Sequence, residues 1–172
     1  AYAECAAGIA GFSDGLAWSR DKTNVLVTRT FSKAYGLAAL RVGWAYGPTA
    51  VIAALDRIRL PFSVPRAGEA AAVAALADEA FVQKSVAAFE TGRRDLDAAL
   101  VSLGARTLPS ATNFVTARFD SADAIDAALA ERGILVRNLK TYGMPDWLRI
   151  SVGQPDEMRR VIAALREIVG RR

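Results

Sequence analysis

The sequence predicts an α/β fold, and three observations carry that prediction. Short apolar runs of strand length alternate with longer stretches whose apolar residues recur at helical spacing. From residue 113 the order reads strand, helix, strand, strand, helix, the pattern of a compact α/β lobe. Glycine or proline stands at most junctions between these stretches.

Residues 25–30 read as a buried strand that ends at a loop carrying Lys33, and residues 42–47 as a second strand. Pro48 sits where a helix can begin, and Val51, Ile52, Leu55 and Ile58 supply its apolar stripe. Pro61 and Pro65 break that helix and mark a hinge. The Ala-rich run from Gly68 to Ala77 is a good helix former. A long helix starts near Asp78, with Val82, Val86, Phe89, Leu96, Leu100 and Leu103 on one apolar face and Gly104 as terminator. A strand over 113–119 comes next, then a helix over 121–132 with Ser121 as N-cap and Gly133 as stop. Strands over 134–137 and 147–152 follow. The last helix begins at Pro155, with Asp156 and Glu157 favourable in its first turn and Met158, Val161, Ile162, Leu165 and Ile168 on its buried side.

A chain of 172 residues can bury a sizeable core in one or two domains. Hydrophobic content of 52% and charged content of 23% are those of an ordinary soluble globular protein. The formal charge is +4, but the basic pairs (Arg93 and Arg94, Arg159 and Arg160, Arg171 and Arg172) are scattered. No basic stripe with interleaved aromatics forms, so nucleic acid is not an expected partner. Cys5 is the only cysteine and histidine is absent, which excludes an intrachain disulfide and leaves no usual zinc ligand set. No metal is expected. No apolar run approaches the ~18 residues of a membrane span, so no membrane partner is expected.

The chemistry concentrates around Lys33. Thr30 precedes it by three positions and Arg41 follows it by eight. An amine, a hydroxyl and a guanidinium are what a pyridoxal-phosphate site needs: the amine bonds the aldehyde, and the other two hold the phosphate. On spacing alone, a solvated lysine and a salt-bridging arginine remain open alternatives. In the strand Leu148-Arg149-Ile150-Ser151-Val152, Arg149 and Ser151 share one face and the apolar residues the other. Arg137 closes the preceding strand.

The string Arg29-Thr30-Phe31-Ser32-Lys33-Ala34-Tyr35-Gly36-Leu37-Ala38-Ala39-Leu40-Arg41-Val42-Gly43-Trp44 closely resembles the cofactor-lysine segment of the class I/II aminotransferases of fold type I. The resemblance continues through Thr112-Asn113-Phe114, Gly133-Ile134-Leu135-Val136-Arg137 and Leu148-Arg149-Ile150-Ser151-Val152-Gly153, in register across nearly the whole chain. It points to the histidinol-phosphate aminotransferase branch.

By that resemblance the fold is the C-terminal part of a fold type I transferase. Residues 1–80 would end the large cofactor-binding α/β domain, and residues 81–172 would form the small C-terminal α/β domain. The implied cofactor is pyridoxal 5′-phosphate. Lys33 is implied as the catalytic residue and as the amine that holds the cofactor. Tyr2, Thr30, Ser32 and Arg41 complete the implied cofactor-binding set, and Arg137 and Arg149 the implied substrate-binding pair. The implied reaction moves an amino group between glutamate or 2-oxoglutarate and histidinol phosphate or imidazole-acetol phosphate, in histidine biosynthesis. An aromatic amino-acid aminotransferase, a threonine-phosphate decarboxylase-like enzyme and a non-catalytic truncated fragment are the alternatives. Family members are roughly twice this length, in line with a two-domain enzyme. The chain is therefore expected to be a C-terminal half, with the ring-nitrogen aspartate, a stacking aromatic and a Gly-rich phosphate loop upstream of Ala1. The full-length protein is expected to be a cytoplasmic homodimer. Asn113 is expected to serve a structural hydrogen bond, and Trp18, Trp44, Trp147 and Tyr142 to serve packing.

Overall fold

The computed structural model describes residues 1–170; Arg171 and Arg172, the last of the basic pairs, lie outside the described residues. The chain divides into two compact units, Ala1–Val86 and the remainder from Ala87.

The first unit opens on two short helices that the sequence reading did not anticipate, α1 (Ala3–Ala6) and α2 (Leu16–Asp21). Strands β1 (Val27–Thr30) and β2 (Gly43–Tyr46) then pair antiparallel, with Val27 opposite Tyr46 and Thr30 opposite Gly43. Both are shorter than expected. The Ser19 hydroxyl donates to the carbonyls of Val25 at 2.9 Å and Tyr46 at 3.1 Å, where the ladder ends. At Gly43 a Cβ would stand 2.5 Å from the Arg29 carbonyl oxygen, so the strands close only over glycine.

Helix α3 (Thr49–Ile58) follows Pro48 as expected, and α4 (Arg66–Ala77) begins right after Pro65, two residues before the expected Ala-rich run from Gly68. Between them Phe62 takes φ 56° and is 96% exposed. Leu55 and Ile58 of the α3 stripe are also exposed, because helical periodicity marks an apolar face without saying what covers it. The core of this unit is small: Phe31, Val42 and Ala72, with Tyr35, Leu37, Leu40 and Ala75 packed against them.

Helix α5 (Glu79–Ser102) contains the unit boundary and ends before Gly104, whose φ is 80°. The second unit continues as β3 (Arg106–Thr107), β4 (Phe114–Arg118), α6 (Ala122–Ala130), β5 (Arg137–Asn138), β6 (Trp147–Ser151) and α7 (Pro155–Val169). Its sheet has the order β3-β4-β6-β5, and each pairing is antiparallel. Alternation sends Val115, Ala117, Leu148 and Ile150 to one face. There they meet Leu96, Leu100, Ile125, Leu129, Met158 and Leu165 in the main core. Each large apolar side chain so buried contributes about 1.5–3 kcal/mol.

Several local expectations need correction. Ser121 precedes α6 but makes no side-chain cap bond, and α6 is shorter than 121–132. The strand expected over 134–137 shrinks to Arg137–Asn138, since the Ile134 N–H bonds back to Leu129 at 3.0 Å as part of the helix stop. Helix α7 is capped by Gln154, whose N–H donates to Glu157 Oε2 at 2.7 Å in a reciprocal capping box. Asn113 contributes its backbone carbonyl to Val152 N–H at 2.8 Å. Trp18, Trp44 and Tyr142 are exposed rather than packed inside, whereas Trp147 is half-buried.

Candidate active site

In the first unit the connection from β1 to β2 gathers polar groups around Lys33. Buried Phe31 and Ala34 anchor it, and the Leu37 N–H donates to the Phe31 carbonyl at 2.9 Å. Gly36, at φ 72°, turns the chain after Lys33. Arg41 then takes a left-handed conformation, φ 55° and ψ 43°, unusual for a residue with a side chain and costing roughly 1–2 kcal/mol. That turn brings its guanidinium back towards Ser32. Nη1 donates to the Ala38 carbonyl at 2.7 Å and lies 3.4 Å from Ser32 Oγ. Thr30 Oγ1 donates to Ser32 Oγ at 2.9 Å, and the Ser32 N–H donates to Thr30 Oγ1 at 3.1 Å. Thr30, Ser32 and Arg41 therefore form one hydrogen-bonded string.

Lys33 Nζ lies 5.7 Å from the ring centroid of Tyr2, a cation–π contact. Neither Lys33 nor Arg41 has a carboxylate partner among the described residues, whereas nearby Arg29 is 3.7 Å from Asp14. Burial, and then the charge of Glu4, push the Tyr35 phenol above its ordinary 10.0, so it stays neutral beside the lysine turn.

In the second unit Arg137 and Arg149 are direct cross-strand partners, and Thr116 is the partner of Arg149 on its other side. They occupy the sheet face opposite the core. The Arg149 guanidinium lies 4.9 Å from the Phe114 ring centroid, and its Nε is buried without a hydrogen-bond partner among the described residues. Arg137 Nη2 donates to the Tyr142 phenol oxygen at 3.3 Å, with the guanidinium 5.7 Å from that ring's centroid. The hydrogen bond and charge of Arg137, then the charge of Arg149, hold the Tyr142 phenol below its ordinary 10.0.

The turn that carries Tyr142 is fixed from α6. Asp123 accepts from Lys140 Nζ and from Asn138 Nδ2, each at 2.9 Å. These bonds, led by the one from Lys140, hold its carboxyl below the ordinary value. Other basic groups nearby are neutralised, Lys140 by Asp123 and Arg118 by Asp146 at 3.3 Å. Arg137 and Arg149 have no carboxylate partner among the described residues. Uncompensated guanidinium groups with an unmet buried donor are suited to an anion. Tyr142 was missed as a member of this group; the signal for it was an aromatic in a short Gly-ended turn between the two arginines.

The sequence profile of the aminotransferase class I and II family matches residues 1–165. The chain belongs to that family. This aminotransferase-family chain is 49% identical over 158 residues to the histidinol-phosphate aminotransferase of Sphingopyxis alaskensis, covering 88% of this chain and 43% of that protein. Its identity to histidinol-phosphate aminotransferase 2 of Ralstonia nicotianae is 47% over 156 residues, covering 88% and 42%. The crystal structure of histidinol-phosphate aminotransferase from Sinorhizobium meliloti in complex with pyridoxal-5′-phosphate superposes with a TM-score of 0.79 at 35% identity, covering 87% of this chain and 42% of that one. The chain thus spans less than half the length of these relatives. Its fold is part of the α/β fold of the fold type I transferases. Among the described residues, no helix is long and apolar enough to cross a membrane.

Proposed function

We propose that this chain forms the C-terminal half of a pyridoxal-phosphate-dependent aminotransferase. The complete enzyme would exchange an amino group between glutamate or 2-oxoglutarate and histidinol phosphate or imidazole-acetol phosphate. We read residues 1–80 as the end of its large domain and residues 81–172 as its small domain. The setting is histidine biosynthesis in the cytoplasm, and the assembly a homodimer.

The observation that carries this reading is the string Thr30–Ser32–Arg41 beside Lys33. Two hydroxyls and an uncompensated guanidinium fit a phosphate monoester, and an amine without a carboxylate partner fits an aldehyde. Pyridoxal phosphate, when bound, supplies that aldehyde and a ring that delocalises the electrons left on the substrate's α-carbon. Thr30, Ser32 and Arg41 hold the phosphate. Lys33 Nζ would hold the cofactor through its aldehyde and would carry the proton of the substrate α-carbon. Tyr2, whose ring centroid lies 5.7 Å from Nζ, would contact the cofactor beside the lysine. Arg137 and Arg149 hold the anionic end of the substrate.

The test is reduction of the cofactor-loaded complete protein with borohydride, followed by peptide mapping and an assay with histidinol phosphate and phenylalanine. Label on Lys33 with turnover of histidinol phosphate is the expected result. Label on another lysine defeats the assignment, and faster turnover of phenylalanine makes the enzyme an aromatic aminotransferase.

A further inference from the structure

Beyond the two arginines, we propose that Tyr142 contacts the substrate and sets specificity, its phenolic O–H distinguishing a phosphate monoester from a carboxylate. This rests on the reading of Arg137 and Arg149 as the substrate's anion site. Tyr142 closes a single turn, Lys140–Tyr142, that follows β5 directly and ends at Gly143 with φ 75°. Buried Leu139 anchors the start of that turn, and Asp123 pins it through Asn138 and Lys140. The ring is therefore exposed but positioned.

The hydrogen bonding around the phenol is one-sided. Its oxygen accepts from Arg137, and its own proton meets no acceptor among the described residues. Arg149 Nε is likewise a donor without an acceptor. The row Arg137, Arg149 and Tyr142 thus offers guanidinium and phenol donors, with no carboxylate in it.

A carboxylate has two oxygens, and two guanidinium forks meet the demands of both. A phosphate monoester presents three terminal oxygens and a charge of about −1.5 to −2. Its third oxygen needs a further donor, and Tyr142 has one to give. The phenol accordingly adds affinity for the phosphorylated substrate and little for glutamate. One pocket then serves both amino donors, with Tyr142 engaged in only one half-reaction.

The experiment compares wild type, Tyr142→Phe and Arg149→Met in the complete, cofactor-loaded protein. Calorimetry measures binding of propyl phosphate and of glutarate, neither of which has an amine to react. Phenylalanine at 142 keeps the ring stacked on Arg137 and removes only the hydroxyl. Tyr142→Phe should weaken propyl phosphate about tenfold and change glutarate by less than about twofold, the scale of one charge-assisted hydrogen bond. The KM for histidinol phosphate should rise in parallel. Equal weakening of both probes would reduce Tyr142 to a support for Arg137, and no weakening of either would exclude it from the site; both outcomes overturn the proposal. If Arg149→Met weakens both probes while Tyr142→Phe weakens neither, the anion site stands and only the role of Tyr142 falls. If Arg149→Met weakens neither, the anion-site reading itself fails.

Discussion

Arg137 stands directly opposite Arg149 in the register of β5 and β6, and the Nε of Arg149 is buried without a hydrogen-bond partner among the described residues. Like charges placed opposite one another destabilise a sheet, and an unmet buried donor costs about 1–3 kcal/mol. Stacking on Phe114 offsets about 0.5–1 kcal/mol of this. Arg149→Met, similar in reach and uncharged, should therefore raise the unfolding free energy by about 1 kcal/mol while removing anion binding. Urea unfolding and a binding titration on the same samples check both halves. A less stable variant would mean that the arginine is kept for the fold rather than for a ligand.

Alkaline pH should weaken binding of propyl phosphate at the proposed anion site. The charged groups facing the Tyr142 phenol are Arg137 from β5 and Arg149 from β6, with Lys140 on its own turn, and the two arginines lower its pKa from 10.0. As pH rises through that lowered value, the phenol loses its proton, ceases to donate and adds negative charge beside the anion. Guanidinium groups are not deprotonated in proteins. Propyl phosphate affinity should fall on the alkaline side in wild type and stay flat in Tyr142→Phe over the same range.

Arg41 combines its proposed cofactor role with backbone strain, and two substitutions separate them. Arg41→Ala keeps the left-handed φ of 55° and loses the guanidinium. It should weaken cofactor binding by about 1.5–3 kcal/mol, the range for charged hydrogen bonds. Arg41→Gly should weaken it similarly but relieve about 1 kcal/mol of strain in the free protein. Fluorescence titration with pyridoxal phosphate and thermal unfolding give the two readouts. Unchanged cofactor affinity with poorer substrate binding would assign Arg41 to the substrate instead.

Asp123 makes the turn at Tyr142 sensitive to acid. Its folded pKa lies below the unfolded value near 3.8, first because of the hydrogen bond from Lys140 and then that from Asn138. A carboxylate with a depressed folded pKa contributes its full stabilisation above the unfolded pKa and loses it as pH falls through the folded value. The stability gap between wild type and Asp123→Asn should be constant above about pH 5 and close below about pH 4. Unfolding midpoints from pH 3 to 7 measure it. A gap that persists unchanged in acid would show that ionisation of Asp123 is not what holds the turn.

The elements that the sequence made legible are those with strong periodicity and clear stops. Leu96 and Leu100 lie fully buried on the anticipated face of α5, and Gly104 and Gly133 take the positive φ values expected of helix stops. The two strands flanking Lys33 were legible from their β-rich runs, but their ends were not, because spacing does not reveal a register that would set Val25 opposite Pro48, which has no N–H to give. The exposure of Leu55, Ile58 and Phe62 was also illegible, since a sequence shows an apolar face but not its cover. Local spacing made Thr30, Ser32 and Arg41 readable as a group. Tyr142 offered only its place in a Gly-ended turn between the two arginines; its pairing with Arg137 and the orphaned donor on Arg149 are not encoded by spacing.

The sheet order has a consequence in the time domain. In the second unit β4 and β6 are internal strands, paired on both sides and backed by the main core. Amides of Val115, Ala117, Leu148 and Ile150 should exchange with solvent deuterium only when the whole unit opens. In the first unit, β1 and β2 form a two-stranded ribbon of four residues each, a structure of marginal intrinsic stability. The lysine loop is suspended from that ribbon, so its amides should exchange earliest. Any ligand gripping Thr30, Ser32 and Arg41 adds RT ln(1 + [L]/Kd) to the ribbon's resistance to opening. Cofactor occupancy would then be readable as slowed exchange and proteolytic protection of residues 27–46, with no chemistry taking place at all.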